Sequence, residues 1–334
     1  MRLKIGVAMV LALFFALFLH VVPAAETLPA ELADADYWKM VSGFSEPDGY
    51  FQYEIVTSNE SSYQAVLPDL MKTPRSGGAY LGVGPEQNFT YIAALQPKIA
   101  FIIDIRRDMM LEHLMYKAVF EMSANRVEFL SNLFSRKRPA QLTSETPVRT
   151  LFQAYAAVPA DPVLADEHLK EIMTRLKNGH HFPLTPEDES RIRMMYLDFL
   201  REGVITFDSS FRSPGYAALM TMTDSQGKNW SYLAANESYE RVRAMHQKNL
   251  IVPLVGDFAG PKTIRTVGQY LKDHGATVNV FYISNVEDYI RAWPDYNGNV
   301  ASLPIDSSSM FIRWSPSFTT SLASMANFVR SDRR

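Results

Sequence analysis

The stretch Tyr80–Arg107, YLGVGPEQNFTYIAALQPKIAFIIDIRR, decides the fold. A short apolar run, Ala79–Leu81, enters the turn Gly82-Val83-Gly84-Pro85-Glu86. Helical spacing over Gln87–Leu95 follows, and a second apolar run, Ile99–Ile103, ends on Asp104. Two parallel strands need a crossover of roughly a dozen residues or more, almost always right-handed. A strand, turn, helix, strand and acid in this order therefore predict a glycine turn beside a carboxylate at neighbouring strand ends. Open α/β sheets bind ligands at that edge. Gly84 and Asp104 are 20 residues apart, the separation at which an acid meets the ribose of a nucleotide.

Working outward, Leu250–Val255 is another apolar run, closed by Gly256-Asp257. Gly260–His274 has an amphipathic helical pattern with Gly275 as its stop, and Thr277–Ile283 is the next strand, delivering Ser284-Asn285-Val286-Glu287. The sequence thus predicts an α/β, Rossmann-like, mostly parallel sheet with units near 79–104 and 250–285. A large helical insertion, about residues 108–249, lies between them within a single domain spanning 26–334. Within it, Met110, Leu111, Leu114, Met115, Ala118, Val119 and Met122 recur at three- and four-residue intervals and read as core. Thr185-Pro186-Glu187-Asp188 reads as a helix start. Tyr63–Leu70 reads as a preliminary helix and residues 26–50 as polar and irregular, while Asn299–Pro304 and Ser309–Trp314 are short strand candidates.

Bulk properties narrow the function. The chain has 334 residues, 47% hydrophobic and 21% charged, an ordinary globular balance. Residues 1–25 carry Arg2 and Lys4, the apolar run Ile5–Val22 and the small residues Ala24 and Ala25. That pattern predicts a signal peptide cleaved after Ala24 or Ala25 and a periplasmic destination. Retention as an inner-membrane anchor is the alternative, because an 18-residue apolar run is near the lower limit for a span. Without the leader, 31 basic residues face 36 acidic ones, a net −5, which gives no electrostatic footprint for nucleic acid. The absence of cysteine excludes disulfides and a catalytic thiol. No H-E-x-x-H or G-x-S-x-G motif is present, so neither a zinc site nor a nucleophile elbow is expected.

The candidate site residues are Gly82, Gly84, Glu86, Gln87, Asn88, Asp104, Asp257 and Asn285, all at predicted strand ends or the helix start. Position 87 is Gln where the dinucleotide fingerprint has its third glycine, which argues against NAD or FAD. Glu86 at the helix mouth would repel a phosphate and suit a ligand ammonium. Asp104 either binds ribose or pairs with the arginines that follow it, and Arg106 and Arg107 could instead hold an acidic substrate. Asp257 and Asn285 either face the ligand or cap the next helix. Adjacent His180 and His181 sit in a Gly/Pro-flanked loop and suggest no site.

Taken together, these units resemble class I S-adenosylmethionine-dependent methyltransferases. The resemblance implies a glycine turn (Gly82, Gly84) under the methionine part, Asp104 on the ribose and Asp257 on the adenine side, with S-adenosylmethionine as cofactor. FYISNVEDYI (281–290) is also similar to families related to aminocarboxypropyl transferases. GVGPEQNF, FIIDIRR, VGDFAGPK and FYISNVE together resemble an uncharacterised family of exported bacterial proteins over most of residues 43–313. The acid that ordinarily precedes the first glycine is replaced by Tyr80. Two kinds of function are therefore expected: a nucleoside-binding group transferase, or a non-catalytic envelope binding protein retaining the fold.

Overall fold

A computed structural model describes residues 27–52, 56–73, 77–206, 209–210, 213–315 and 319–332; the expected signal peptide, residues 1–25, lies outside them. Six strands form one sheet: β1 (Ala79–Gly82), β2 (Ile99–Asp104), β3 (Ile251–Val255), β4 (Val278–Ser284), β5 (Met310–Ser315) and β6 (Thr319–Ser324). Their order is β3-β2-β1-β4-β5-β6, parallel throughout except for β6, which runs antiparallel on β5. Strands β1, β2 and β3 are buried at every position. This is why they read as continuous apolar runs rather than alternating ones. Pro253 is tolerated in β3 because that strand forms an edge.

The chain moves outward from β1 through β2 to β3, then returns across the sheet to place β4 on the other side of β1. The switch point therefore lies between β1 and β4, where doubly wound sheets open a crevice at their carboxyl ends. Helices Gln87–Leu95, Arg107–Glu121 and Asn236–Gln247 pack together, the second of them on β2 and β3. A second group, Asp34–Phe44, Thr263–Asp273, Trp293–Ser302 and Met325–Asp332, packs in succession, its first member on β3.

Between β2 and β3 the chain is predominantly helical, as expected. Arg107–Glu121 buries its methionines and also Glu112, His113, Tyr116 and Lys117, so it is enclosed on all sides by sheet and insertion. Thr185 caps Pro186–Asp198 in a reciprocal box with Asp188.

Four expectations need correction. Residues 26–50 include the helix Asp34–Phe44, whose Tyr37, Met40 and Val41 are buried. In Tyr63–Leu70 only Leu67–Leu70 is helical, after turns. Asn299–Pro304 is not a strand: it falls largely on the helix Trp293–Ser302, with Pro294 in its first turn. Strand β6 was not foreseen; its exposed and half-exposed positions carry no apolar run.

Candidate functional site

The site begins with the backbone of the glycine turn. Asn88 is fully buried, and its Nδ2 donates to the carbonyls of Val83 (2.9 Å), Gly84 (3.1 Å) and Pro85 (2.8 Å). Its Oδ1 accepts from the Tyr80 hydroxyl at 2.7 Å. One amide thus fixes the whole turn. Gly82 makes that packing possible, since a Cβ there would sit 2.0 Å from Asn88 Oδ1. Gly84 has φ +76°, and a Cβ on it would meet nothing within 4 Å, so the turn is open above it.

That opening belongs to a cavity of about 1050 Å³ at the carboxyl ends of β1, β2, β3 and β4. Five of the eight predicted residues line it: Gly84, Gln87, Asp104, Asp257 and Asn285. Gly82, Glu86 and Asn88 lie behind the wall and shape it. Glu86 does not face a ligand: its carboxyl receives the Ser58 N–H at 3.2 Å on each oxygen. Burial pushes Glu86 up to about 8, only partly offset by that backbone hydrogen bond, so it is mostly neutral at pH 7 and does not repel anions.

Asp104 pairs with an arginine that follows it and also borders the cavity. Its Oδ1 accepts from the Arg106 backbone N–H (3.0 Å) and side-chain Nε (3.3 Å), while the residue borders the cavity. Arg107 turns away and grips Asp188 of the insertion with two bonds of 2.7 and 2.9 Å. It is therefore not a substrate arginine. The Gly256 N–H on the Asp104 carbonyl (2.8 Å) continues the β2–β3 pairing and brings Asp257 to the same edge. Asp257 accepts from Ala259 N–H (2.9 Å) within its own exposed turn. The helix after it is capped by Glu46, whose Oε1 receives the N–H groups of Lys262 (2.9 Å) and Thr263 (2.8 Å). Asn285 makes no side-chain cap bond to the turn after β4.

The sequence reading missed a buried carboxylate in the wall. Glu60 Oε1 accepts from the Tyr282 hydroxyl (2.6 Å) and from Ser284 Oγ, and its Oε2 accepts from Gln87 Nε2 (3.1 Å). Burial raises its pKa against the pull of these three donors. Ser284 is in the left-handed region, φ +52°, at the very end of β4. Tyr282 and Ser284, two apart on a strand, share a face. That spacing was readable; Glu60, more than 200 positions away, was not. Aromatic residues border the mouth: Phe51 meets Tyr289 edge-on at 5.0 Å and lies 6.0 Å below the Arg106 guanidinium.

Among the described residues, no group of three or more His, Cys, Asp or Glu side chains could hold a metal ion. No helix among them is long and apolar enough to cross a membrane. A search of curated proteins finds no match to this chain. A family model, described as a domain of unknown function (DUF7790), matches residues 55–329, and the chain belongs to that family.

Proposed function

We infer that the cavity is a nucleoside-type ligand site of an exported group transferase, with S-adenosylmethionine as the fitting donor. The observation that carries this is the convergence of Gly84, Gln87, Asp104, Asp257 and Asn285, from four strand ends, on one cavity at the switch point. Gly84 leaves room for backbone contact with the amino-acid part, and Asp104 offers its carboxylate to ribose hydroxyls. S-adenosylmethionine, when bound, supplies an electrophilic carbon on a sulfonium. The protein's share is to orient donor and acceptor and to exclude water, and these effects need no covalent intermediate.

The test is thermal unfolding with S-adenosylmethionine, S-adenosylhomocysteine, NAD or ATP, on wild type and Asp104→Asn. Asparagine keeps an acceptor for Arg106 and spares the fold. A ligand at a hundred times its Kd adds about 2.7 kcal/mol of stability. The expected result is a shift with the adenosyl compounds that Asp104→Asn abolishes. No shift with any of the four sinks the reading. The second reading, a binding protein without catalysis, is favoured by the Asp104–Arg106 pair, which occupies one oxygen of the acid. Binding without turnover of any acceptor would select it.

A further inference from the structure

The strand-end serine has the surroundings of a nucleophile. Ser284 lines the cavity, is half-buried and holds φ +52°, a conformation that a residue with a side chain adopts at a cost. Such outliers concentrate at functional sites, and the inference runs from the outlier to the function. Its Oγ donates to Glu60 Oε1. Behind it Glu60 is 2% exposed and is fixed by Tyr282 and Gln87, so the serine meets a carboxylate that two further groups orient. Ser58 Oγ in turn donates to Gln87 Oε1 and fixes its amide. A nucleophile touching a base that is oriented by further groups is the arrangement covalent catalysis requires. The Asn285 amide, its oxygen 3.4 Å from Ser284 Oγ, brings an N–H2 group to the same end of the cavity.

We propose that Ser284 is a nucleophile, with Glu60 as its base, for acyl transfer from a carboxylic ester held in this cavity. This goes beyond the nucleoside reading, because alkyl transfer from a sulfonium needs no enzyme nucleophile. As Oγ bonds to the ester carbonyl carbon, its proton passes to Glu60. The adduct collapses by cleaving the C–O bond to the alcohol, which leaves with that proton. Water then attacks the acyl-serine and gives a proton to Glu60. The acyl–Oγ bond breaks, the acid departs and the proton returns to Oγ. Burial keeps the Glu60 pKa above that of a free carboxylate, which strengthens it as a base.

The probe is diisopropyl fluorophosphate, which phosphorylates an activated serine with loss of fluoride and carries no nucleoside. The full chain is treated and followed by intact mass, peptide mapping and the burst of p-nitrophenol from p-nitrophenyl acetate. The expected result is a single adduct on Ser284 and a burst. Ser284→Gly, which accepts the left-handed backbone, should show neither. Glu60→Gln should label roughly a hundredfold more slowly, the scale of general-base assistance. Labelling of wild type should accelerate as pH rises through the ionisation of Glu60. Folded wild type that takes no label, takes it elsewhere, or is matched in rate by Glu60→Gln overturns the proposal. Should Glu60→Gln fail to fold, the wild-type profile decides, and a rate independent of pH overturns it. None of these outcomes depends on whether adenosyl compounds bind, so the two readings fail separately.

Discussion

Gly82 and Gly84 stand two positions apart in one turn, yet different physics holds each. At Gly82 the constraint is contact: a methyl group would strike Asn88 Oδ1 at 2.0 Å and the Tyr80 ring at 2.9 Å. Asn88 would have to loosen its bonds to three carbonyls and a tyrosine hydroxyl. At Gly84 the space is open and the constraint is φ +76° alone. Gly82→Ala should therefore cost about 2–4 kcal/mol, combining overpacking with unsatisfied buried polar groups. Gly84→Ala should cost about 1–2 kcal/mol, the penalty of a left-handed alanine, while projecting its methyl into the cavity. Urea unfolding of both variants decides, and equal costs would mean that the turn relaxes around either methyl group.

At the scale of elements, the N-terminal helix is clasped to the body by a histidine. Asp34 of Asp34–Phe44 and Glu121 of Arg107–Glu121 each lie 2.8 Å from a ring nitrogen of His180. Lys117 faces Glu121 at 2.6 Å, and Asn249 donates to Asp34 at 2.8 Å. Burial pulls the His180 pKa down, but the carboxylates of Glu121 and Asp34 outweigh it and leave it raised. Burial pushes Glu121 and Asp34 up, and their hydrogen bonds with His180, Asn249 and Lys117 leave both lowered. A raised histidine stabilises fully below its unfolded value, near 6.5, and loses that contribution as pH rises through its folded value. The two lowered carboxylates give theirs above about 4 and lose it as pH falls. His180→Ala should thus cost about 1–3 kcal/mol near pH 5.5, for charge-assisted bonds, and less at pH 8.5. Chemical denaturation at the two pH values tests this, and a cost independent of pH would leave only the stacking on Phe182. The sequence shows this histidine only as one of two adjacent ones in a Gly/Pro-flanked loop, because its partners lie 59 and 146 positions away. Local signals fared better. The Ala79–Asp104 unit was legible because apolar runs, a glycine turn and helical spacing agree within 26 residues. The Trp293–Ser302 helix was misread because Asn297-Gly298-Asn299-Val300 lacks helical composition; Pro294 in its first turn was the readable cue. Tertiary contact supplies what composition lacks there: Asn299 is buried and bonded to Arg265 and to the carbonyls of Phe258 and Gly260.

Across the whole molecule, the insertion is joined to the ligand-binding edge through charged groups at the start of Arg107–Glu121. Arg107 forks onto Asp188, and its N–H reaches Asp48 at 2.7 Å, two positions before Tyr50 at the cavity mouth. Arg191 bridges Asp48 and Asp108, each at 3.0 Å. These contacts couple the insertion helix Pro186–Asp198 to the segment over the site, a coupling no local pattern in the sequence encodes. Burial alone would raise Asp188, but its bonds to Arg107 and Thr185 hold it at about 2. A lowered carboxylate gives its stabilisation above the unfolded value near 4 and loses it as pH falls toward 2. Arg107 is one-third exposed, so solvent weakens the pair relative to a fully buried one. Arg107→Ala should accordingly cost about 1–3 kcal/mol at neutral pH, most of it from the Asp188 charge left buried. Arg107→Lys should recover only part, because a lysine cannot fork onto both oxygens. Both deficits should shrink as pH is lowered toward 2.5, followed by denaturant unfolding. A deficit that persists unchanged in acid would assign the loss to packing of the arginine stem rather than to the ion pair that ties insertion to sheet.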